Sequence, residues 1–172
     1  MKRFLCSLLC LLLCFSLFGC QKKETMPILE PVEFFYLQNT FSYTDAETII
    51  GSEPREAAGH REDLPYLLEL YFRGPQNDAL AQPFPDGCNL VSSSTRNSKT
   101  ITVVITDSFS TLTGMDLSIA CVCLAKTVSG ITGYPTVIIR TETKLLDGKR
   151  SITVRDGKPV LFDDYIAPTT TE

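Results

Sequence analysis

Side chains that could carry out catalysis or bind a metal are few and scattered. The 172-residue sequence has one histidine, His60, which stands in the charged stretch His60–Asp63. An active site needs several titratable groups held together, and structural zinc needs about four cysteine or histidine ligands. The sequence has neither a His-x-x-x-His nor a Cys-x-x-Cys spacing. We therefore expect His60 to be a solvated loop residue, and we predict no enzymatic activity, no metal site and no cofactor.

Two cysteines stand close together, at Cys121 and Cys123, inside an apolar run. On a helix, residues two apart point about 200° away from each other, so these thiols cannot share a metal or form a disulfide with each other. We interpret both as small buried apolar residues. Cys88 opens a predicted strand, and a single disulfide between it and Cys121 or Cys123 stays an open alternative.

Two polar clusters have side chains that could form a site. The run Ser92–Thr95 supplies four hydroxyl groups, but no base can be named that would activate one of them as a nucleophile. Asp163-Asp164 supplies two neighbouring carboxylates, which could bind a cation weakly. We expect the first cluster to be a polar strand end and the second to be a solvated acidic turn.

The N-terminal segment has the pattern of an export signal. Lys2 and Arg3 are followed by a stretch without charge, Phe4–Phe18. This stretch is shorter than the roughly 20 residues that span a bilayer, and a basic start before a short apolar run is typical of a secretory signal. We predict that residues 1–19 are a signal peptide, with an uncleaved N-terminal anchor as the alternative.

The residues that end this segment, Leu17, Gly19 and Cys20, resemble the lipobox of bacterial lipoproteins. In that family a diacylglycerol is attached to the cysteine thiol, and the chain is cut just before it. Phe18 is bulkier than the residue usual at its position. The resemblance implies that Cys20 is the lipidation site. It also implies that the protein is anchored to the bacterial cell membrane on its extracytoplasmic side.

The rest of the chain suits one domain. Without residues 1–19 it has 153 residues, with 14 basic and 20 acidic side chains and a net charge of −6. It has no dense cluster of lysine and arginine, so we do not expect nucleic acid as a partner. We assign residues 20–31 to a tether, 32–165 to a folded domain and 166–172 to a polar tail.

Two stretches predict helices. Asp63–Pro65 is a helix start, because an acidic cap precedes a proline in the first turn, and Gly74-Pro75 is a stop. The apolar face between them consists of Leu64, Leu67, Leu68 and Tyr71. A second helix is predicted over Met115–Ser129, with Thr113 and Asp116 close to a capping box and Gly130 as its stop. Its apolar residues cover more than one stripe, which indicates deep burial.

Strand patterns surround these helices. Aromatic and β-branched residues favour strands at Val32–Leu37, Cys88–Ser94, Thr100–Thr106 and Thr136–Arg140, with a hairpin loop at Thr95–Ser98. In residues 38–60, Ile49-Ile50 predicts a short strand and Pro54 indicates a loop. Asp147-Gly148 and Asp156-Gly157 are typical hairpin turns. The order is β-α-β-β-α-β with C-terminal hairpins. It predicts an α+β fold, a mostly antiparallel sheet with two helices packed on one face.

This order of elements, with particular residues in it, resembles the GerMN domain of sporulation and spore germination proteins. The resemblance rests on the helix that ends at Gly74-Pro75, the Pro83-x-Pro85-x-Gly87 loop, the strand Ile101–Thr106 followed by Asp107-Ser108-Phe109, and the helix before Tyr134–Ile139. The Asp107-Ser108 pair lacks the spacer of the family's Asp-x-Ser pattern. The family is not known for catalysis, so the resemblance implies an extracytoplasmic interaction module.

Three functional hypotheses follow. The favoured one is a membrane-anchored, non-enzymatic scaffold or protein-interaction module, with an envelope protein as its partner and a role in sporulation or germination. The alternative is a lipoprotein that binds a small ligand or a cell-wall fragment in a pocket. An envelope hydrolase is the third, and it lacks a nucleophile–base pair. A deep pocket with converging polar groups would favour the ligand hypothesis, and an exposed sheet edge would favour the first.

Overall fold

The computed structural model describes residues 31–40, 49–57 and 59–158. The predicted signal peptide, Cys20, most of the tether, Asp163-Asp164 and the tail lie outside the described residues. The elements in chain order are β1 (Val32–Gln38), β2 (Ile50–Arg55), α1 (Leu64–Phe72), β3 (Leu80–Ala81), β4 (Leu90–Asn97), β5 (Thr100–Ile105), a 3₁₀-helix (Asp107–Thr111), α2 (Gly114–Thr132), β6 (Thr136–Thr141) and β7 (Ile152–Arg155).

The strands form two sheets, with the orders β2-β1-β3 and β4-β5-β6-β7. All neighbouring pairs are antiparallel except β5 and β6, which are joined through α2 as a parallel crossover. The predicted α+β class and mostly antiparallel pairing are confirmed. The prediction of a single sheet differs from the structure, because β1 pairs with β2 and β3 and never with β4 or β5.

Helix α1 begins and ends where the sequence indicates. The carboxylate of Asp63 accepts a hydrogen bond of 3.1 Å from the backbone N–H of Tyr66, and Pro65 lies in the first turn. The four apolar residues of the predicted stripe are all buried. The helix ends before Gly74, whose φ of 94° is a left-handed conformation that glycine adopts without a steric penalty.

Helix α2 is longer than predicted. Gly130 lies inside it, and the stop is Gly133, which has a φ of 74° and donates its N–H to the carbonyl of Ser129. Thr113 is the N-cap residue, but its side chain makes no capping hydrogen bond, so the predicted capping box is wrong. A single glycine costs a helix only about 1 kcal/mol, and packing of the surrounding apolar residues outweighs that cost.

Ten residues of α2 are buried, and they cover most of its circumference. By length and composition it is also apolar enough to cross a membrane. Its packing against β1, β6 and β7 assigns it to the core of the domain, as a helix apolar on all sides requires.

One edge of β1 pairs with β2 along most of its length, whereas β3 covers only Leu37 and Gln38 on the other edge. Side chains from both helices bond the backbone of this other edge. The N–H of Phe35 donates to Thr127 Oγ1 on α2 at 2.9 Å, and its carbonyl accepts from the Tyr71 hydroxyl on α1 at 2.7 Å. Tyr36 in turn donates to the Tyr71 carbonyl at 3.0 Å. Burial raises the pKa of Tyr71 well above its ordinary value, so its hydroxyl keeps the proton that it donates.

Three local predictions differ from the structure. Pro54 lies within β2 and not in a loop, which is tolerated because β2 is an edge strand with one neighbour. The short strand β3 was predicted as loop. Strand β4 continues to Asn97, so the predicted loop over Thr95–Ser98 shrinks to a turn at Ser98 and Lys99. Both Asp-Gly turns are confirmed: Asp147 and Asp156 have φ of 47° and 50° and precede glycines with positive φ, as type I′ turns require.

Candidate interaction surface

The histidine is placed as the sequence predicts. His60 lies in the loop before α1 with half of its side chain exposed. Its ring stacks on Tyr66 with centroids 4.2 Å apart, and its Nδ1 lies 3.5 Å from a carboxylate oxygen of Asp63. Among the described residues, no group of three or more His, Cys, Asp or Glu side chains is arranged to hold a metal ion.

The three described cysteines are buried and free, so the alternative disulfide of Cys88 with Cys121 or Cys123 is not formed. Burial raises the pKa of Cys123 to about 12. Burial, together with the neighbouring Cys123, also raises the pKa of Cys121. Their predicted burial is confirmed. Thiols react as thiolates, so we expect both to react slowly in the native protein.

The Asp107-Ser108 pair has a structural role. Ser108 donates to Cys88 Sγ at 3.4 Å and bonds Thr106 Oγ1 at 3.0 Å, which ties the start of β4 to the end of β5. The Asp107 carboxylate accepts hydrogen bonds from the hydroxyl and N–H of Thr143 and from the N–H of Lys144. This motif therefore fixes the loop after β6 and the start of the 3₁₀-helix, and it presents no reactive group.

Three surface grooves of the described residues could hold a small ligand. One of about 530 Å³ lies between the start of β1 and α2, where the Lys126 ammonium sits 5.2 Å from the Phe35 ring centroid. One of about 320 Å³ adjoins Pro83 and Pro85. The third, of about 470 Å³, lies between α1 and the start of β4. All three are open to solvent, whereas small-molecule sites are clefts or cavities that bury most of the ligand's surface.

Most sheet edges in the described residues carry features that block pairing. In β2, Pro54 lacks an N–H, and Glu53 beside it is buried. Glu53 accepts from Arg55 Nε at 2.7 Å and from the backbone N–H groups of Gln76 and Asn77. Strand β3 has two residues, and β7 has four, ending at Arg155. Prolines, charges and short lengths are the usual protections of an edge strand.

Strand β4 lacks most of these protections. It is the longest strand described, with eight residues, and it pairs only with β5. Every residue from Val91 to Asn97 is exposed, and the strand contains no proline, lysine or carboxylate. Register shifts at Leu90/Ser92 and Thr95/Asn97 are its only edge irregularities. Between the two shifts, Ser92–Thr95 forms a regular segment with no strand on its outer side. This segment is the hydroxyl cluster of the sequence analysis, and we call it the β4 edge.

The third groove adjoins one end of the β4 edge, and we call it the acidic groove. It is lined by Asp63, Pro65, Tyr66, Glu69, Asn89 and Leu90. Glu69 is paired with Arg73 at 2.6 Å, and Asp63 caps α1. The groove thus combines an aromatic ring with two carboxylates next to a row of strand backbone groups. The sequence indicates that Ser92–Thr95 is polar, but no local pattern of residues indicates that this groove lies beside it.

No protein-family model and no curated protein matches the sequence. Among solved structures, the tandem GerMN domains of the sporulation protein GerM from Bacillus subtilis superpose with a TM-score of 0.50 at 15% identity, over 75% of this chain and 45% of that chain. The domain has the GerMN fold. This chain therefore spans less than half of the neighbour's length. A protein described as a lipoprotein from Clostridium perfringens aligns with a TM-score of 0.45 at 14% identity, over 74% of this chain and 89% of that one.

The GerMN fold explains the residues that carried the resemblance. Gly74 provides the left-handed turn after α1, and its carbonyl accepts from Arg55 at 2.8 Å. Asp107 and Ser108 hold loops together, and Val137 and Ile139 are fully buried on β6. These positions hold the fold together.

Proposed function

We propose that this protein is a lipid-anchored, extracytoplasmic interaction module of the bacterial envelope, which acts by contact and has no turnover of its own. The observation that carries the proposal is the β4 edge. It has no strand on its outer side, and it lies within a run of exposed residues, Val91–Asn97. A strand edge offers a row of unpaired N–H and C=O groups to an extended segment of another chain.

The anchor follows from the N-terminal sequence. Leu17-x-Gly19-Cys20 supports lipidation at Cys20, and Gln21–Pro31 can reach at most about 36 Å when extended. A domain held this close to the bilayer meets other membrane-held proteins at a raised effective concentration. Two lysines, Lys22 and Lys23, would each gain about 1 kcal/mol beside anionic lipid.

A role in sporulation or spore germination belongs to the same proposal. The neighbour with this fold is named as a sporulation protein, and proteins with one fold often differ in function. The name of this neighbour supports a role in sporulation, and the identity of the crosslinked partner tests that role.

The test compares three full-length chains in native membranes, each with a photo-crosslinking residue at position 94 on the β4 edge. One is otherwise unchanged, one carries Cys20→Ala, and one carries Cys14→Ala as the control in the same segment. We expect the unchanged and Cys14→Ala chains to carry lipid and to crosslink to a specific envelope protein. The Cys20→Ala chain should lose both properties.

Lipid on the Cys20→Ala chain would refute the anchor. Absence of any protein crosslink from position 94, together with peptidoglycan hydrolysis that is lost on replacing His60, would replace the interaction module with an enzyme.

A further inference from the structure

We infer that the protein held at the β4 edge is a second copy of this chain. In this arrangement two β4 strands pair antiparallel across a two-fold axis, with Ser93 of one copy opposite Ser93 of the other. The two four-stranded sheets then join into one of eight strands. The inference rests on the proposed function, since it names the partner of the same edge.

The side chains of the β4 edge suit pairing with themselves. In the proposed register Ser92 lies opposite Ser94 of the other copy, and Thr95 lies opposite Val91. Side chains of directly opposed residues lie about 5 Å apart, where serine and threonine hydroxyls can bond each other and like charges repel. The segment Ser92–Thr95 has no charge and no large side chain, so nothing in it opposes its own copy.

The ends of the strand are complementary as well. The only charge on β4 is Arg96. It lies beyond the regular segment, and the antiparallel direction brings it towards the Leu90 end of the other copy. Leu90 lines the acidic groove with Asp63, Tyr66 and Glu69. Even with Arg73 paired to Glu69, these side chains carry a net negative charge, and a guanidinium also stacks well on an aromatic ring. By symmetry each copy supplies one arginine and receives one.

The contact is small, which makes it dependent on the membrane. The two register shifts in β4 confine regular pairing in this register to Ser92–Ser94 of each copy, because Thr95 lies opposite Val91, outside the regular segment. Such a contact buries far less than the roughly 1,200–2,000 Å² of a stable interface. Such a contact is weak between freely diffusing chains. Anchoring both copies converts it into an effectively intramolecular event, which can raise apparent affinity by roughly 10²–10⁴-fold.

The experiment uses full-length protein in native membranes and cysteine oxidation. A disulfide needs Cβ atoms about 3.5–4.5 Å apart, so only directly opposed positions should react. Ser93→Cys should form a covalent dimer alone, whereas Ser92→Cys and Ser94→Cys should do so only when co-expressed. The control is Ser52→Cys, an exposed serine on the edge strand β2. Native Cys88, Cys121 and Cys123 are buried and give little background.

A second variant tests the charge logic. Ser93→Lys places two ammonium groups face to face at the two-fold axis, and it should lower dimer yield from a photo-crosslinker at position 94 by about tenfold, a change of 1.4 kcal/mol. Ser52→Lys should leave the yield unchanged. Removing the lipidation site with Cys20→Ala should lower the yield further.

The outcomes separate this inference from the function it rests on. Equal dimer yields at positions 52 and 93 would overturn the two-fold pairing. A crosslink from position 94 to a protein of another mass, without any covalent dimer, would also overturn it while keeping the interaction module. No crosslink to any protein would remove both.

Discussion

The hydrogen bond between Phe35 and Thr127 offers a sharp test of how the domain is held together. Thr127 is fully buried on α2, and its hydroxyl accepts the Phe35 N–H at 2.9 Å. Thr127→Val keeps the shape of the side chain but leaves that N–H without a partner. Leaving a buried donor unsatisfied costs about 1–3 kcal/mol, so we expect Thr127→Val to be less stable by about 2 kcal/mol.

For a domain of this size, about 2 kcal/mol corresponds to a fall in Tm of roughly 6–10 °C. Thr127→Ser is the matched control, because it keeps the hydroxyl and loses one methyl group, which costs about 1 kcal/mol. The two variants differ in mechanism as well as in magnitude. Only the valine variant removes the acceptor from the edge of β1.

Native-state hydrogen exchange separates the two mechanisms. In Thr127→Val the Phe35 amide should lose more protection than the Val103 amide in the other sheet. In Thr127→Ser both amides should change alike, since only global stability falls. A Thr127→Val protein that melts within about 1 °C of the parent, with Phe35 protection unchanged, would refute the role of this hydrogen bond.

Two further predictions concern titratable groups. The thiols of Cys121 and Cys123 should react slowly with a thiol reagent in the native protein and fast after unfolding, because burial raises the pKa of both; fast native labelling would contradict their burial. The hydrogen bonds from Thr143, its hydroxyl foremost, lower the pKa of Asp107. This carboxylate therefore stabilises the fold above the unfolded pKa of about 3.9, and the contribution is lost as pH falls through the lower folded pKa. Asp107→Asn should melt below the parent at pH 7, and the gap should close in acid; a gap constant from pH 7 to about pH 2 would contradict this.

Much of the fold was predictable because its signals are local. Each of these signals depends on residues close together in sequence. Examples are the start of α1 at Asp63, the buried stripe of α1 and the two Asp-Gly turns. The end of α2 was predicted three residues early, since the sequence offers both Gly130 and Gly133 and only tertiary packing chooses between them. The division into two sheets was missed because strand partners are decided by contacts far apart in sequence.

The candidate surface was harder to predict than the fold. The sequence indicated that Ser92–Thr95 is polar, but an edge strand and an inner strand with one solvated face show similar patterns. The edge becomes visible only when β5 is seen to take β6 as its second neighbour. The acidic groove lies beside the β4 edge because α1 packs near β4. No local pattern of residues predicts that packing.

The closed edge of β1 also has a consequence for folding kinetics. Phe35 and Thr127 are 92 positions apart, and contacts of such long separation slow folding. Polypeptides are made from the N-terminus, so β1 emerges long before α2 can cover it. Until then Phe34, Phe35 and Tyr36 form an uncovered aromatic strand, the kind of segment that aggregates during folding. We expect the docking of β1 between the two helices to be the late, rate-limiting step, and Thr127 to be the residue that completes it.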